Sequence, residues 1–563
     1  MVFADDHFMG SSAVAAVALL ALACGGEDER SRNLTGSTSA TGAGGAVTTG
    51  TGTAGAGAAV GGASGAPLRY DQVRQKSSHN SYQRHEALFD QLVYHRLRSL
   101  ELDLHTGKSS WPTLAGSWYV YHDSNETETT CHRFRDCLDE IGAFHRAVPD
   151  HEVVTLFLDM KSDWVTPGHG PDELDAAIRS KLGDDALLTP AEVMARCPGA
   201  STLQEAVTGS CDWPALSDLR GRFLFALTGG TACSAGTVLD SYTSGGVGAE
   251  QRVGFVAPAI DGSCSLDDYL QGEPHVVFLN LPSSQTSESL DVSLAGLVSR
   301  VWDLNTSSDW GAAFNARTHV LATDKVNFHQ DPWAVTHDDR GWPFDCIATC
   351  GTQPEEPADI FGVSVDSDDI WDGADSFVFL HSSFGAGDAT WSGYVSTVNS
   401  HVDDFAKGCL MARASLDADS PYVAVCRPAD ANPIRVQVRA SPGASTQAYE
   451  VDLLPADTVD DESAPFLRLE LSVGSASTSA TGYASLDGST WVTIHSATVA
   501  HTLSYQGIAA SSHDHSVPVT LLFGNVDRAE GSGQPVRYDL GTFTAETMIG
   551  TCRSAETFPG VFP

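Results

Sequence analysis

Between residues 70 and 345 short apolar runs alternate with amphipathic stretches, the rhythm of a barrel or a doubly wound sheet. Three runs stop on polar residues: Ser-Leu-Glu101-Leu-Asp103-Leu-His105, Trp-Tyr-Val-Tyr-His122-Asp123 and Val-Val-Thr-Leu-Phe-Leu-Asp159-Met-Lys161. Buried barrel strands have this pattern, apolar until the carboxyl end, where the chemistry sits. Apolar residues three or four apart predict helices over 87–97, 134–147, 172–182 and 292–304. Further strands are expected at 222–227, 275–280 and 319–324. The stretch 189–217 interrupts the rhythm, and the pattern alone does not reach a count of eight strands.

Around 350–357 the composition shifts to Gly, Pro and Glu, which predicts a linker. Beyond it helical periodicity fades, and short strands are expected at 376–380, 422–425, 434–438, 466–471, 491–494 and 519–523. Asp487-Gly488 is a hairpin signal between Tyr483-Ala-Ser485 and the strand that starts at Trp491. The expected fold class is α/β, a TIM-like (β/α) barrel over 67–350 followed by an all-β sandwich over 358–548.

Residues 1–66 are not fold material. An apolar stretch ending at Cys24 has the length of a signal-peptide core and resembles the lipobox of a bacterial lipoprotein, although no Lys or Arg precedes it. Residues 25–66 are Gly, Ala, Thr and Ser in low-complexity order, a tether unable to bury a core. The chain is therefore expected to be exported, as an outer-membrane or cell-surface lipoprotein or as a secreted protein. Twelve cysteines agree with an oxidising compartment. Proximity suggests the pairs Cys131–Cys137, Cys197–Cys211, Cys233–Cys264 and Cys409–Cys426, and leaves Cys346, Cys350 and Cys552 competing. A formal charge of −40 disfavours nucleic acid as a partner. The triplets beginning at Asn33 and Asn125 match the glycosylation pattern without further support.

The candidate chemistry lies in 77–161. Glu101 and Asp103 are two apart, so on a strand both carboxylates face the side that Asn80 and Asp159 reach from neighbouring strands. Three carboxylates and an amide oxygen are hard ligands that suit Ca²⁺ better than Zn²⁺. His79 and His122, on different strand ends, are then available for proton transfer and for stabilising charge on a phosphoryl group. His105 and Asp123 stand beside motif residues and are expected to face elsewhere in supporting roles.

The set His79-Asn80, Glu101-x-Asp103, His122 and Asp159-x-Lys161 resembles the catalytic domain of secreted bacterial calcium-dependent phosphatidylinositol-specific phospholipase C over roughly 69–345. The resemblance implies Ca²⁺ held by Asn80, Glu101, Asp103 and Asp159; Lys161 is either a contact to the substrate phosphate or an ion-pair partner to these carboxylates. It implies attack of the inositol 2-hydroxyl on phosphorus, Glu101 or Asp159 taking the proton. His79 would stabilise the phosphoryl group, and His122 would protonate the departing diacylglycerol oxygen. The products would be diacylglycerol and a cyclic inositol phosphate, and the partner a phospholipid at a membrane surface. A glycerophosphodiester phosphodiesterase also carries paired histidines and Glu-x-Asp on a barrel, but typically opens with His-Arg-Gly where this chain has His79-Asn80.

Residues 358–545 are similar to a jelly-roll module of the concanavalin-like lectin class, which implies a carbohydrate ligand and, should the barrel be inactive, a surface adhesin. Trp371 and Trp491 are expected to be sandwich core rather than sugar platforms. The sandwich is expected to be separable from the chemistry, and the protein to be monomeric.

Overall fold

The computed structural model describes residues 67–109, 114–123, 129–337, 342–347, 359–398, 401–429, 432–450 and 464–561. Cys24, the tether, the linker and both glycosylation triplets lie outside them. The first half contains β1 (Val73–Ser78), β2 (Ser99–His105), β3 (Tyr119–Val120), β4 (Val154–Met160) and β5 (Phe223–Thr228). It continues with β6 (Phe255–Val256), β7 (Phe278–Pro282), β8 (Val298–Trp302), β9 (Val320–Thr323) and β10 (Phe344–Cys346). Eight of these form a parallel sheet in the order β6-β5-β4-β2-β1-β9-β8-β7, with β3 and β10 as antiparallel additions to β2 and β1.

The sheet curls into a nearly closed barrel. Among the described residues no ladder pairs β6 with β7, and the amide of Asn280 reaches across that seam to the carbonyl of Pro258, 2.9 Å away. Strand β2 shows why the sequence builds a wall of this kind. Leu100, Leu102 and Leu104 are fully buried and alternate with Glu101 and Asp103, so one face is apolar and the other carries the carboxylates.

Helices α1 (Leu88–Val93), α2 (Phe134–Ala147) and α3 (Pro171–Leu182) alternate with the first barrel strands along the chain and pack side by side, α1 on α2 and α2 on α3. On α2 the buried Phe134, Cys137, Leu138, Ile141 and Phe144 recur at helical spacing. The helix stops before Val148-Pro149, where the proline ring disfavours helical backbone in the residue ahead of it. The interrupted stretch 189–217 forms two short helices, Pro190–Ala195 and Leu203–Thr208, tied by Cys197–Cys211. The other three expected pairs, Cys131–Cys137, Cys233–Cys264 and Cys409–Cys426, are also bonded. Cys346 is in a disulfide and Cys552 is free.

The helix expected over 292–304 is a correction. A helix ends at Leu294, Gly296 turns the chain at φ 78°, and Val298–Trp302 is a barrel strand. The apolar residues of two different elements had fused into one apparent period.

Residues 360–559 form two antiparallel sheets packed face to face. Trp391, 1 % exposed, lies between them and donates its indole N–H to Gln506 Oε1 at 3.0 Å. Trp371 and Trp491 are only partly buried, and the Arg468 guanidinium lies 5.6 Å from the Trp491 ring centroid. The Asp487 carboxylate caps its turn by accepting from the N–H groups of Ser489 and Thr490, with Gly488 at φ 69°. Barrel and sandwich share one continuous apolar cluster, in which Phe89 of α1 meets the rings of Tyr394 and Phe466. No described helix is long and apolar enough to cross a membrane.

Candidate active site

The site is assembled by strand register. Parallel pairing sets Asp103 of β2 directly beside Asp159 of β4, and Ser77 beside Ser99, which carries His79 level with Glu101 two residues on. After β1 the chain turns sharply at Asn80, whose φ of 48° is in the left-handed region that asparagine tolerates better than most residues. The turn points the Asn80 N–H at Glu101 Oε2, 3.0 Å away.

Glu101, Asp103 and Asp159 each offer an oxygen, and these atoms lie within 4.8 Å of one another. Asp103 is fully buried, and its Oδ1 has no hydrogen-bond partner. A buried carboxylate oxygen left this way is costly unless something positive meets it. A convergent, hard, all-oxygen donor set with one oxygen unclaimed fits a divalent cation of the calcium type. The Asn80 side-chain oxygen accepts from the Tyr82 hydroxyl at 3.2 Å beside the same group.

Positive charge in the protein already answers part of this acidity. Lys161 places Nζ 2.6 Å from Asp159 Oδ2 and 3.2 Å from Asp103 Oδ2. Burial opposes the ammonium, but the two carboxylates outweigh it and lift its pKa to about 12. Arg300, wholly buried on β8, sets a guanidinium nitrogen 2.7 Å from Glu101 Oε2. Burial pushes Glu101 up, but Arg300, His79 and the Asn80 N–H hold it below the usual carboxylate range. Asp103 goes the other way, raised to about 6 by burial and then by the charge of Glu101, against the pull of Lys161.

Each histidine is oriented by a carboxylate. His122 Nδ1 lies 3.0 Å from Asp103 Oδ2, with the ring half exposed. His79 Nδ1 lies 3.1 Å from Asp324 Oδ1, its Nε2 3.9 Å from Glu101 Oε2, and its ring stacks on Trp302. Burial lowers the His79 pKa, yet the Asp324 hydrogen bond and the Glu101 charge leave it raised, which favours the imidazolium. Asp324 is itself held by Asn305 and Arg84.

His79, Asn80, Glu101, His122, Asp159 and Lys161 all line one open cleft of about 650 Å³ at the carboxyl ends of the strands. Thr228, Asn280 and Trp302 line the same cleft, Thr228 paired with Asp159 and Trp302 stacked on His79. Sequence reasoning missed Arg300, which donates to Asn280 Oδ1 at 2.8 Å, while Asn280 donates to Thr228 at 2.8 Å. The signal was a lone charge inside the apolar run of β8, hidden by the helical reading of that segment. His105 is outside the cleft, bonded to the Tyr121 carbonyl and stacked on the Tyr121 ring, and Asp123 is exposed.

Residues 120–265 match the family model of calcium-dependent phosphoinositide phospholipase C. The match takes in His122, Asp159 and Lys161 and begins after the other four. A solved calcium-dependent phosphoinositol-specific phospholipase C from a Pseudomonas species is 20 % identical, covering 50 % of this chain and 96 % of its own, with a TM-score of 0.42. A glycerophosphodiester phosphodiesterase from Parabacteroides distasonis is 12 % identical over 46 % of this chain and 97 % of its own, TM-score 0.27. One from Oleispira antarctica, solved with sn-glycerol 3-phosphate, is 11 % identical over 46 % and 96 %, TM-score 0.28. No curated protein matches the chain.

Proposed function

We propose that the barrel is a calcium-dependent phosphodiesterase that cleaves phosphatidylinositol-type lipids to diacylglycerol and a cyclic inositol phosphate. The observation that carries this reading is the buried, unpartnered Oδ1 of Asp103 within a three-carboxylate cluster, in a cleft that two carboxylate-oriented imidazoles also line. The match of 120–265 to calcium-dependent phosphoinositide phospholipase C supports the same substrate class.

Asn80, Glu101, Asp103 and Asp159 would hold the calcium. When bound, it supplies a Lewis acid that neutralises charge on the phosphoryl oxygens and lowers the pKa of the inositol 2-hydroxyl. The proton of that hydroxyl passes to Glu101 or Asp159, and its oxygen bonds to phosphorus. His79, favoured as imidazolium by Asp324 and Glu101, donates to the phosphoryl oxygen that gains charge. His122, with Nδ1 occupied by Asp103, gives a proton from Nε2 to the diacylglycerol oxygen as its bond to phosphorus breaks. Lys161 adds a fixed charge facing the phosphate. The substrate is met at a membrane surface, and the chain is exported, which five disulfide-bonded pairs or half-pairs in the described residues support.

Incubating the purified chain with phosphatidylinositol, other phospholipids and a glycerophosphodiester, with and without Ca²⁺, and following products by phosphorus NMR tests the reading. A cyclic inositol phosphate that forms only with calcium is the expected result. Release of glycerol 3-phosphate in its place, or no cleavage of any phosphodiester, would sink it.

A further inference from the structure

We propose that the sandwich is a working part of the catalytic unit, because two neighbouring residues of α1, Asp90 and Gln91, connect Arg427 to the turn that carries His79 and Asn80. The inference rests on the roles of His79 and Asn80 given above.

On the sandwich side, the fully buried Asp90 carboxylate receives four donors. Arg427 donates to Oδ1 at 2.9 Å and to Oδ2 at 2.7 Å, and the Ser396 hydroxyl and Thr397 N–H donate to Oδ1 at 2.7 and 3.2 Å. A bidentate guanidinium-carboxylate pair is directional, so it sets the angle at which α1 lies as well as its distance. On the barrel side, the buried Gln91 amide donates to the carbonyls of Ser81 and Glu86 at 2.8 and 2.7 Å. Its Oε1 accepts from the Ser78 hydroxyl at 2.6 Å.

The hydrogen bonds behind Gln91 run toward it: Ser78 gives its one hydroxyl hydrogen to Gln91, so Ser81 donates toward Ser78, at Oγ or at its carbonyl 3.3 Å away. The Glu101 N–H donates to Ser81 Oγ at 2.8 Å, Ser81 Oγ lies 2.5 Å from Ser78 Oγ, and Ser78 donates to Gln91. An N–H at one end only donates and an amide oxygen at the other only accepts, which orients the Ser78 hydroxyl toward Gln91. Residues 78 and 81 bracket His79 and Asn80, and the chain ends on the backbone of Glu101. Helix α1 has six residues, too few to hold its own shape, so its contacts on both sides place it. Consecutive helical side chains diverge by about 100°, which lets Asp90 face the sandwich while Gln91 faces the turn. Gln91 and Asp90 are thus positioning residues that touch no substrate.

The test uses the full chain with Gln91→Leu, Asp90→Asn, Arg427→Met, the Asp90/Arg427 double variant and Ser396→Ala. It measures kcat and KM on phosphatidylinositol, the calcium concentration for half-activity, and thermal unfolding. Gln91→Leu is expected to lower kcat about tenfold or more with KM little changed, since small misplacements of catalytic groups cost rate rather than binding. Asp90→Asn and Arg427→Met are expected to lower kcat likewise, and the double variant no further than the worse single one. Ser396→Ala removes one donor of four and is expected to give a smaller kcat loss in a folded protein, which keeps the test decisive if the pair variants do not fold. Wild-type kcat in folded Gln91→Leu, in folded Ser396→Ala, or a change confined to KM overturns the proposal. His79→Ala in the same assay separates the two readings. Retained turnover there refutes the role of His79, whereas lost turnover with unaffected Gln91→Leu refutes only the link.

Discussion

His122 Nδ1 lies 3.0 Å from Asp103 Oδ2, on a carboxylate whose other oxygen meets no hydrogen-bond donor. On the proposed reading one side chain serves two tasks, an oxygen for a cation and an oxygen for an imidazole. His122→Ala is expected to cost about 10²- to 10⁴-fold in turnover of the natural lipid, the range of general acid help. On an inositol phosphodiester with a good leaving group the loss is expected to be much smaller, because that group departs without a proton. Equal losses on both substrates would remove His122 from the role.

Calcium removal is the second test. Excess chelator is expected to abolish turnover, and added Ca²⁺ to restore it. Asp103→Asn is expected to raise the calcium needed and lower kcat together, since it weakens the ligand set and the His122 contact at once. Calcorimetric titration of Ca²⁺ reads the first effect without reference to turnover, and unchanged affinity would contradict the ligand assignment.

How much of this was legible depends on range. The carboxylate pair Glu101 and Asp103, their leucine alternation and the helix over Phe134–Ala147 are local patterns, and the chain displays them outright. Arg300 was hidden because the residues on either side of Gly296 combine into a false helical period. Gln91 and Asp90 fall inside the helix expected over 87–97, an expectation that says nothing of what they bond. Their partners are 10 and 337 residues away, and nothing near them in sequence announces that both are buried. The contact between barrel and sandwich is invisible in the sequence for the same reason: a buried Asp–Arg pair between distant segments leaves no periodic trace.

That pair gives a third expectation. Arg427→Ala leaves the Asp90 carboxylate buried without its cation, a loss of about 3–5 kcal/mol. The barrel truncated after residue 357 exposes Phe89 and Asp90 together. It is expected to aggregate or to lose cooperative unfolding, whereas the full chain unfolds its described halves in one calorimetric transition. A soluble, fully active barrel fragment would contradict this.

Stability is expected to depend on pH through two buried carboxyls of opposite behaviour. Glu140 of α2 accepts from the Leu88 N–H at 3.0 Å; burial, then the nearby Asp90 charge against that N–H, raises its pKa from 4.5 to about 8. A raised folded value means that its contribution is full below pH 4.5 and lost as pH rises through 8. Glu152 is the reverse. Burial would raise it, but Arg98 and Arg96 bring it to about 2, so its contribution is present above pH 4.5 and lost as pH falls through 2. Glu140→Gln keeps an acceptor for Leu88 and is expected to stabilise the protein at pH 8, by on the order of a few kcal/mol, with little effect at pH 4.5. Urea midpoints at the two pH values check it, and an equal shift at both would refute it.

The Asn280–Pro258 contact sits where the barrel's ladders stop. Among the described residues β6 and β7 share no ladder, and the Asn280 N–H meets the Pro258 carbonyl there while its side chain donates to Thr228 and accepts from Arg300. One asparagine thus fastens the join through both its backbone and its amide, so a substitution at that position would loosen the rim of the cleft at several points together.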